Sequence, residues 1–148
     1  MLMKKIFVFI TALSLVLHVQ GQLTNISATE VPDTVKNHFS TTHPHAMSVS
    51  WRQTALDYEV QYLQNAAVSY AVYSLEGKLL ETKNKITAFD LPGGVYAYIK
   101  EHYPNVQTKE YVKITNVSGL VTYGVKLEDQ EALFDKKGMY IKTVNYLL

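Results

Sequence analysis

Apolar residues recur at four-residue steps in two stretches, Val31, Val35, Phe39 and Leu91, Val95, Ile99, which places each trio on one stripe of a helix. Pro32 and Pro92 stand where a first-turn proline costs nothing, because that N–H has no intrahelical partner. Pro44 and Pro104 come where a helix must already have stopped. The spacing therefore predicts helices over residues 31–42 and 91–102. After each helix the period changes to two. Tyr58, Val60 and Tyr62 alternate with Asp57, Glu59 and Gln61, and Val121, Tyr123, Val125 and Leu127 alternate with Thr122, Gly124, Lys126 and Glu128, as in strands with one wet face. Asn65-Ala66, Glu76-Gly77-Lys78, Ser118-Gly119 and Lys137-Gly138 interrupt the apolar runs with turn-tolerant residues, so consecutive strands are expected to form antiparallel hairpins.

The chain also resembles itself. A shift of sixty residues lays Val31-Pro32, Val35, Phe39 and His43-Pro44 on Leu91-Pro92, Val95, Ile99 and Tyr103-Pro104. Further on, Tyr58-Glu59-Val60 answers Tyr123-Gly124-Val125, and the turn at Gly77 answers the one at Gly138. The expected fold is α+β, a tandem duplication of a helix packed on an antiparallel four-stranded sheet, two layers per copy. The first copy would span residues 22–88 and the second 89–148, either as two small units leaning on each other or as one compact domain.

Residues 1–21 form the pattern of a signal peptide: Lys4-Lys5, an apolar stretch from Ile6 to Leu17, and small or polar residues leading to cleavage near Gly21/Gln22. That apolar stretch is short for a membrane span, so a retained anchor helix is the weaker alternative and no stable membrane insertion is expected after cleavage. Cleavage lowers Lys plus Arg from 14 to 12 against 13 acidic residues, leaving a nearly neutral chain with interspersed charges. Such a surface lacks the basic stripe of a nucleic-acid binder. The chain has no cysteine, so an exported domain must be held by packing rather than disulfides, and no thiol exists for lipoprotein acylation. A periplasmic or secreted location is expected.

Val31-Pro32, Val35, Phe39, His43-Pro44, Trp51, Tyr58-Glu59-Val60, the Gly77 to Thr82 hairpin, Leu91-Pro92, Tyr103-Pro104 and Gly138 together resemble the PepSY-like family of periplasmic Bacteroidetes proteins. The resemblance spans nearly the whole mature chain. It implies a fold like that of the beta-lactamase inhibitory protein, with tandem helix-on-sheet units, and a binding or inhibitory role rather than catalysis. It carries over no binding residue and names no target.

Candidate chemistry is sparse. His38, His43 and His45 are three imidazoles within eight residues, but His38 sits in the predicted helix while the others flank Pro44, a poor spacing for a metal. No Gly-x-Ser-x-Gly elbow or cysteine nucleophile exists. Asp57 and Glu59 share a strand face and are read as a wet surface rather than a catalytic pair. Gly93-Gly94 at a helix start is a weak anion signal, without the longer loop of a nucleotide site. No cofactor is expected.

Eleven tyrosines and one tryptophan are more suggestive, because aromatic rings with a polar tip suit surfaces buried on binding. Trp51 and Tyr111 occupy equivalent strands, with Lys113 beside Tyr111 on its face, and these three are the candidate binding residues. Trp51 has a second reading as filler beneath the first helix, and Tyr58, Tyr62 and Tyr123 are expected in the core. The leading functional expectation is a non-enzymatic exported binding module for an unknown protein or peptide, inhibitory or regulatory in effect. The alternative is a small-molecule or metal receptor at the seam between the two copies.

Overall fold

The computed structural model describes residues 23–145. The predicted signal peptide, residues 1–21, lies outside them. In chain order the elements are β1 (Thr24–Ile26), α1 (Asp33–Thr42), β2 (Met47–Gln53), β3 (Asp57–Gln64), β4 (Ala67–Ser74), β5 (Leu79–Ile86), a 3-10 turn (Ala88–Asp90), α2 (Val95–His102), β6 (Glu110–Asn116), β7 (Val121–Lys126), β8 (Gln130–Asp135) and β9 (Tyr140–Asn145).

The strands form one continuous antiparallel sheet in sequence order, β1 to β9. This corrects the expected fold class: there are not two four-stranded sheets, each under its own helix, but a single nine-stranded sheet carrying two short helices. The deciding contact is β5 against β6, paired over six residues from Glu81↔Asn116 to Ile86↔Tyr111. Strand β5 reads Leu-Leu-Glu-Thr-Lys-Asn-Lys-Ile, polar on both faces at its centre, and gives little sign of lying in the middle of a sheet. Alternation reports which face a residue occupies, not which strand lies next to it.

The helices occupy the expected stretches but begin later. Pro32 is the N-cap of α1, with φ −56° and ψ 144°, so the helix starts at Asp33. Helix α2 starts at Val95, after Gly94 takes φ +92° in the Pro92-Gly93-Gly94 turn. Four-residue spacing then does the work predicted for it. Val35 and Phe39 face a cluster with Val31, Trp51, Tyr58, Val60, Tyr62, Ala71 and Tyr73. Val95 and Ile99 face a second cluster with Val125, Leu127, Ala132 and Phe134. Each buried Val, Ile or Phe contributes about 1.5–3 kcal/mol by leaving water, so these two patches are what hold α1 and α2 down.

Cross-strand register puts both clusters on the same face. Trp51, Val60 and Ala71 are partners across β2 to β4, Ala71 pairs with Thr82 on β5, and Ile86, Tyr111, Val125 and Ala132 continue across β5 to β8. One face of the sheet therefore carries both helices, and the middle strip of that face, on β5 and β6, lies between them. Among the described residues the opposite face carries no helix.

Two hairpin turns buttress the helix starts in the same way. Gly77, at φ +85°, lies against Thr34 at the start of α1, and Gly138, at φ +83°, lies against Gly93 before α2. At Gly138 any Cβ would overlap the Gly93 carbonyl oxygen, so glycine is required there by both conformation and space.

Candidate functional site

On the helix-free face, β5 alternates Glu81, Lys83 and Lys85, and Arg52, Glu59, Glu110, Lys126 and Glu131 stand on neighbouring strands around the buried side chains of Tyr70, Val72, Val112 and Ile114. The charged groups meet in one network. Glu59 on β3 accepts from Arg52 on β2 and from Lys83 on β5 at 3.3 Å, and Lys83 also approaches Glu81 at 3.3 Å. Glu110 on β6 accepts from Lys126 on β7 at 2.8 Å and from the Tyr70 hydroxyl on β4 at 3.2 Å, with Lys85 at 3.8 Å. The Lys126 ammonium stands 4.6 Å from the Tyr70 ring centroid and the Arg52 guanidinium 5.7 Å from it. A β4 ring in contact with a β7 ammonium requires side chains to cross three strand spacings of about 4.8 Å each, so the sheet curls toward this face.

Burial makes the network more than a wet surface. Glu59 and Glu131 are 6% and 5% exposed, and Tyr70 is 5% exposed. The Tyr70 hydroxyl is pushed up to about 12, first by burial and then by the Glu110 carboxylate beside it. For Lys83, burial works against the ammonium, but Glu59, Glu131 and Glu81 outweigh it and raise the pKa above that of an ordinary lysine. Four cations (Arg52, Lys83, Lys85, Lys126) thus face four carboxylates (Glu59, Glu81, Glu110, Glu131). Gly124 on β7 makes room for one of them, since a Cβ there would overlap the Glu131 carboxylate. The expectation that Glu59 lies on a wet face is corrected: its face is the helix-free one, but curvature and the neighbouring cations bury it.

The candidate binding residues Trp51, Tyr111 and Lys113 all lie on the other face. Trp51 is 6% exposed and meets Phe39 of α1 edge to face at 5.5 Å, filling the space beneath that helix. Tyr111 is half-buried against the second cluster, and Lys113 is exposed on the strip between the helices. Tyr58 and Tyr62 are in the core, and Tyr123 packs on its margin.

The three histidines do not converge. His38 Nδ1 donates to the Gly77 carbonyl at 3.0 Å, His43 Nδ1 donates to Gln64 Oε1 at 3.0 Å with its Nε2 3.4 Å from the Tyr62 hydroxyl, and His45 is exposed. Among the described residues no group of three or more His, Cys, Asp or Glu side chains is placed to hold a metal ion. Sequence reasoning missed Arg52, Tyr70, Lys83, Glu110 and Lys126. The alternation Glu81, Lys83, Lys85 was the available signal, since it sets three charges on one side of β5.

The family model described as "Putative beta-lactamase-inhibitor-like, PepSY-like" matches residues 17–81 and again 57–142. The chain belongs to this family. Solved structures share the PepSY-like fold at low identity. One described as a putative periplasmic protein of Bacteroides eggerthii superposes with a TM-score of 0.64 at 14% identity, over 78% of this chain and 88% of that one. A DUF2874 family protein from Bacteroides uniformis gives 0.63 at 16% identity, over 77% and 88%. A BLIP-like protein from Bacteroides fragilis gives 0.56 at 15% identity, over 77% and 85%. No curated protein matches the chain in sequence. Among the described residues no helix is long and apolar enough to cross a membrane.

Proposed function

We propose that this PepSY-like chain is an exported, non-catalytic binding module that holds a protein or peptide partner on the helix-free face of its sheet, with an inhibitory or regulatory outcome. The observation that carries this reading is the network running from Arg52 on β2 to Glu131 on β8. Its charges fix one another in place, so a partner meets donors and acceptors already oriented, and electrostatic complementarity then sets specificity and association rate. Arg52, Glu81 and Lys85 keep enough exposure to be reached. The inhibitor-like description of the family supports a proteinaceous partner, and the periplasmic description of the B. eggerthii structure supports the same compartment for this chain, reached by cleavage near Gly21/Gln22.

Part of the same reading is that residues 22–88 and 89–148 are two copies of one unit fused into a common sheet. Its support is positional: Val35 and Val95 are both fully buried, Phe39 and Ile99 follow one turn later, and Gly77 and Gly138 brace the two helix starts.

The test is affinity capture from periplasm with tagged residues 22–148, comparing Lys85→Glu on the helix-free face with the pair Tyr111→Ala and Lys113→Glu on the helical face. Loss of one reproducible partner with Lys85→Glu, at unchanged melting temperature, supports the reading. Loss with the Tyr111 and Lys113 pair alone moves the interface to the helical face and rejects the one proposed.

A further inference from the structure

The helical face carries two depressions open to solvent. One of about 390 Å³ lies over β3, β4 and β5 near His43, and a second of about 670 Å³ adjoins it at Ala67 and runs past Lys85 and Asp90 to Lys113 and Tyr123. Both have the size of small-molecule sites, roughly 300–1,000 Å³, without their enclosure.

The first hollow has a distinctive chemistry. Around it stand Gln64, Asn65, Thr82 and Asn84, with the half-buried His43 ring at one side, packed 4.6 Å from the ring of the buried Tyr62. None of its side chains carries a carboxylate, ammonium or guanidinium, and its one aliphatic residue is Ala67. Two amides are aimed by internal bonds. The Ser69 hydroxyl donates to Asn84 Oδ1 at 3.0 Å, which leaves the Asn84 amide hydrogens pointing away, and His43 Nδ1 donates to Gln64 Oε1 at 3.0 Å, which does the same for Gln64. These orientations follow from the hydrogen-bond network. The Thr82 hydroxyl and the Asn65 amide have no hydrogen-bond partner among the described residues. The hollow therefore offers several spare donors and acceptors, two of them held in place.

At its rim the backbone is strained. Asn65 and Ala66 take φ +53° and +62°, and Ser48, in the β2 bulge at the same end of the sheet, takes φ +51°. These are the non-glycine residues with positive φ among those described, and at Asn65-Ala66 the conformation is that of the two-residue hairpin joining Gln64 to Ala67.

We infer that this hollow binds a neutral polyhydroxylated small molecule, a sugar or similar polyol. A cationic ligand would find no carboxylate in this lining and a metal ion no free histidine nitrogen on His43, while Lys113, across from Asn84 on the same face, makes an anion the competing ligand to test. What recognition has to work with is a set of amide and hydroxyl side chains beside the His43 ring, which matches a ligand bearing many hydroxyl groups. This site is on the face opposite the charge network and stands or falls independently of the proposed protein partner.

The experiment is an amide ¹H–¹⁵N NMR titration of residues 22–148 with glucose, galactose, N-acetylglucosamine and maltotriose, alongside triglycine and sodium sulfate. The expected result is saturable shifts at residues 64–69 and 82–84 with at least one sugar. Thr82→Val, which keeps the shape and removes the hydroxyl, should weaken binding about tenfold with an unchanged melting temperature, as expected when one hydrogen bond to the ligand is lost, and Asn84→Ala should weaken it as much while lowering the melting temperature, because it also strands the buried Ser69 hydroxyl. Saturable shifts with triglycine or sulfate instead, or no saturable shift with any sugar, overturn the inference.

Discussion

At the residue scale the turns show how far local chemistry specifies this backbone. Asn65-Ala66, Gly77, Gly119 and Gly138 were legible as turns from residue type alone, and all four take positive φ. What sequence could not show is the different surroundings of similar glycines. A Cβ on Gly77 would lie 3.2 Å from the Thr34 side chain, which can yield, whereas on Gly138 it would overlap a backbone carbonyl, which cannot. Gly77→Ala is expected to cost about 1–2 kcal/mol, the usual penalty for a left-handed non-glycine residue. Gly138→Ala should cost clearly more, with the α2 start displaced, and equal urea midpoints for the two variants would contradict this. Ala66 presents the reverse case. It already bears the left-handed penalty, so Ala66→Gly should stabilise the protein by roughly 0.5–1 kcal/mol once glycine's greater unfolded-chain entropy is deducted. A lowered urea midpoint for that variant would show that the turn is not strained.

At the element scale the two helices and the alternating strands were legible because periods of four and two are written into the chain. Phe39 illustrates why the pattern was reliable. It touches Trp51, Tyr62 and His43 at ring distances of 5.2 to 5.5 Å and seals α1 onto the sheet. Phe39→Ala should destabilise by about 3–5 kcal/mol, the range for removing a buried phenyl ring, measured by chemical denaturation. The join of β5 to β6 was not legible, since Thr82, Lys83, Asn84 and Lys85 look like a solvated end rather than a central strand. The same blindness hid Glu59. An acidic residue alternating with tyrosines reads as exposed, and only the register with Arg52 and the nearness of Lys83 reveal it as buried and paired. Glu59→Ala removes the shared carboxylate and leaves two cations beside each other. The cost should be about 2–3 kcal/mol, below that of breaking a fully buried pair because Arg52 keeps contact with water.

At the scale of the whole molecule the face patterns were legible, but the curl that joins distant strands was not, because it depends on which side chains meet across three or four strands. Tyr70 and Lys83 are the groups through which that curl becomes measurable. Both hold their protons more tightly in the folded chain than in the unfolded one, Tyr70 up to about 12 against an unfolded value of 10.0, and Lys83 above 10.5. A group with a raised folded pKa contributes stability that is complete below its unfolded pKa and is lost as pH rises through its folded pKa. Stability should therefore hold to about pH 10 and then fall toward pH 12, with Tyr70 responsible for roughly 2–3 kcal/mol of the loss. Tyr62 and Tyr73, also raised by burial, add to the same alkaline decline from the opposite face. The measurement is urea unfolding as a function of pH for the native chain and for Tyr70→Phe, which keeps the ring under Arg52 and Lys126 but has no proton to release. The variant should show a visibly shallower decline between pH 10 and 12. Parallel curves would mean that the Tyr70 hydroxyl is reached by water, and that the helix-free face is more open than the network from Arg52 to Glu131 makes it.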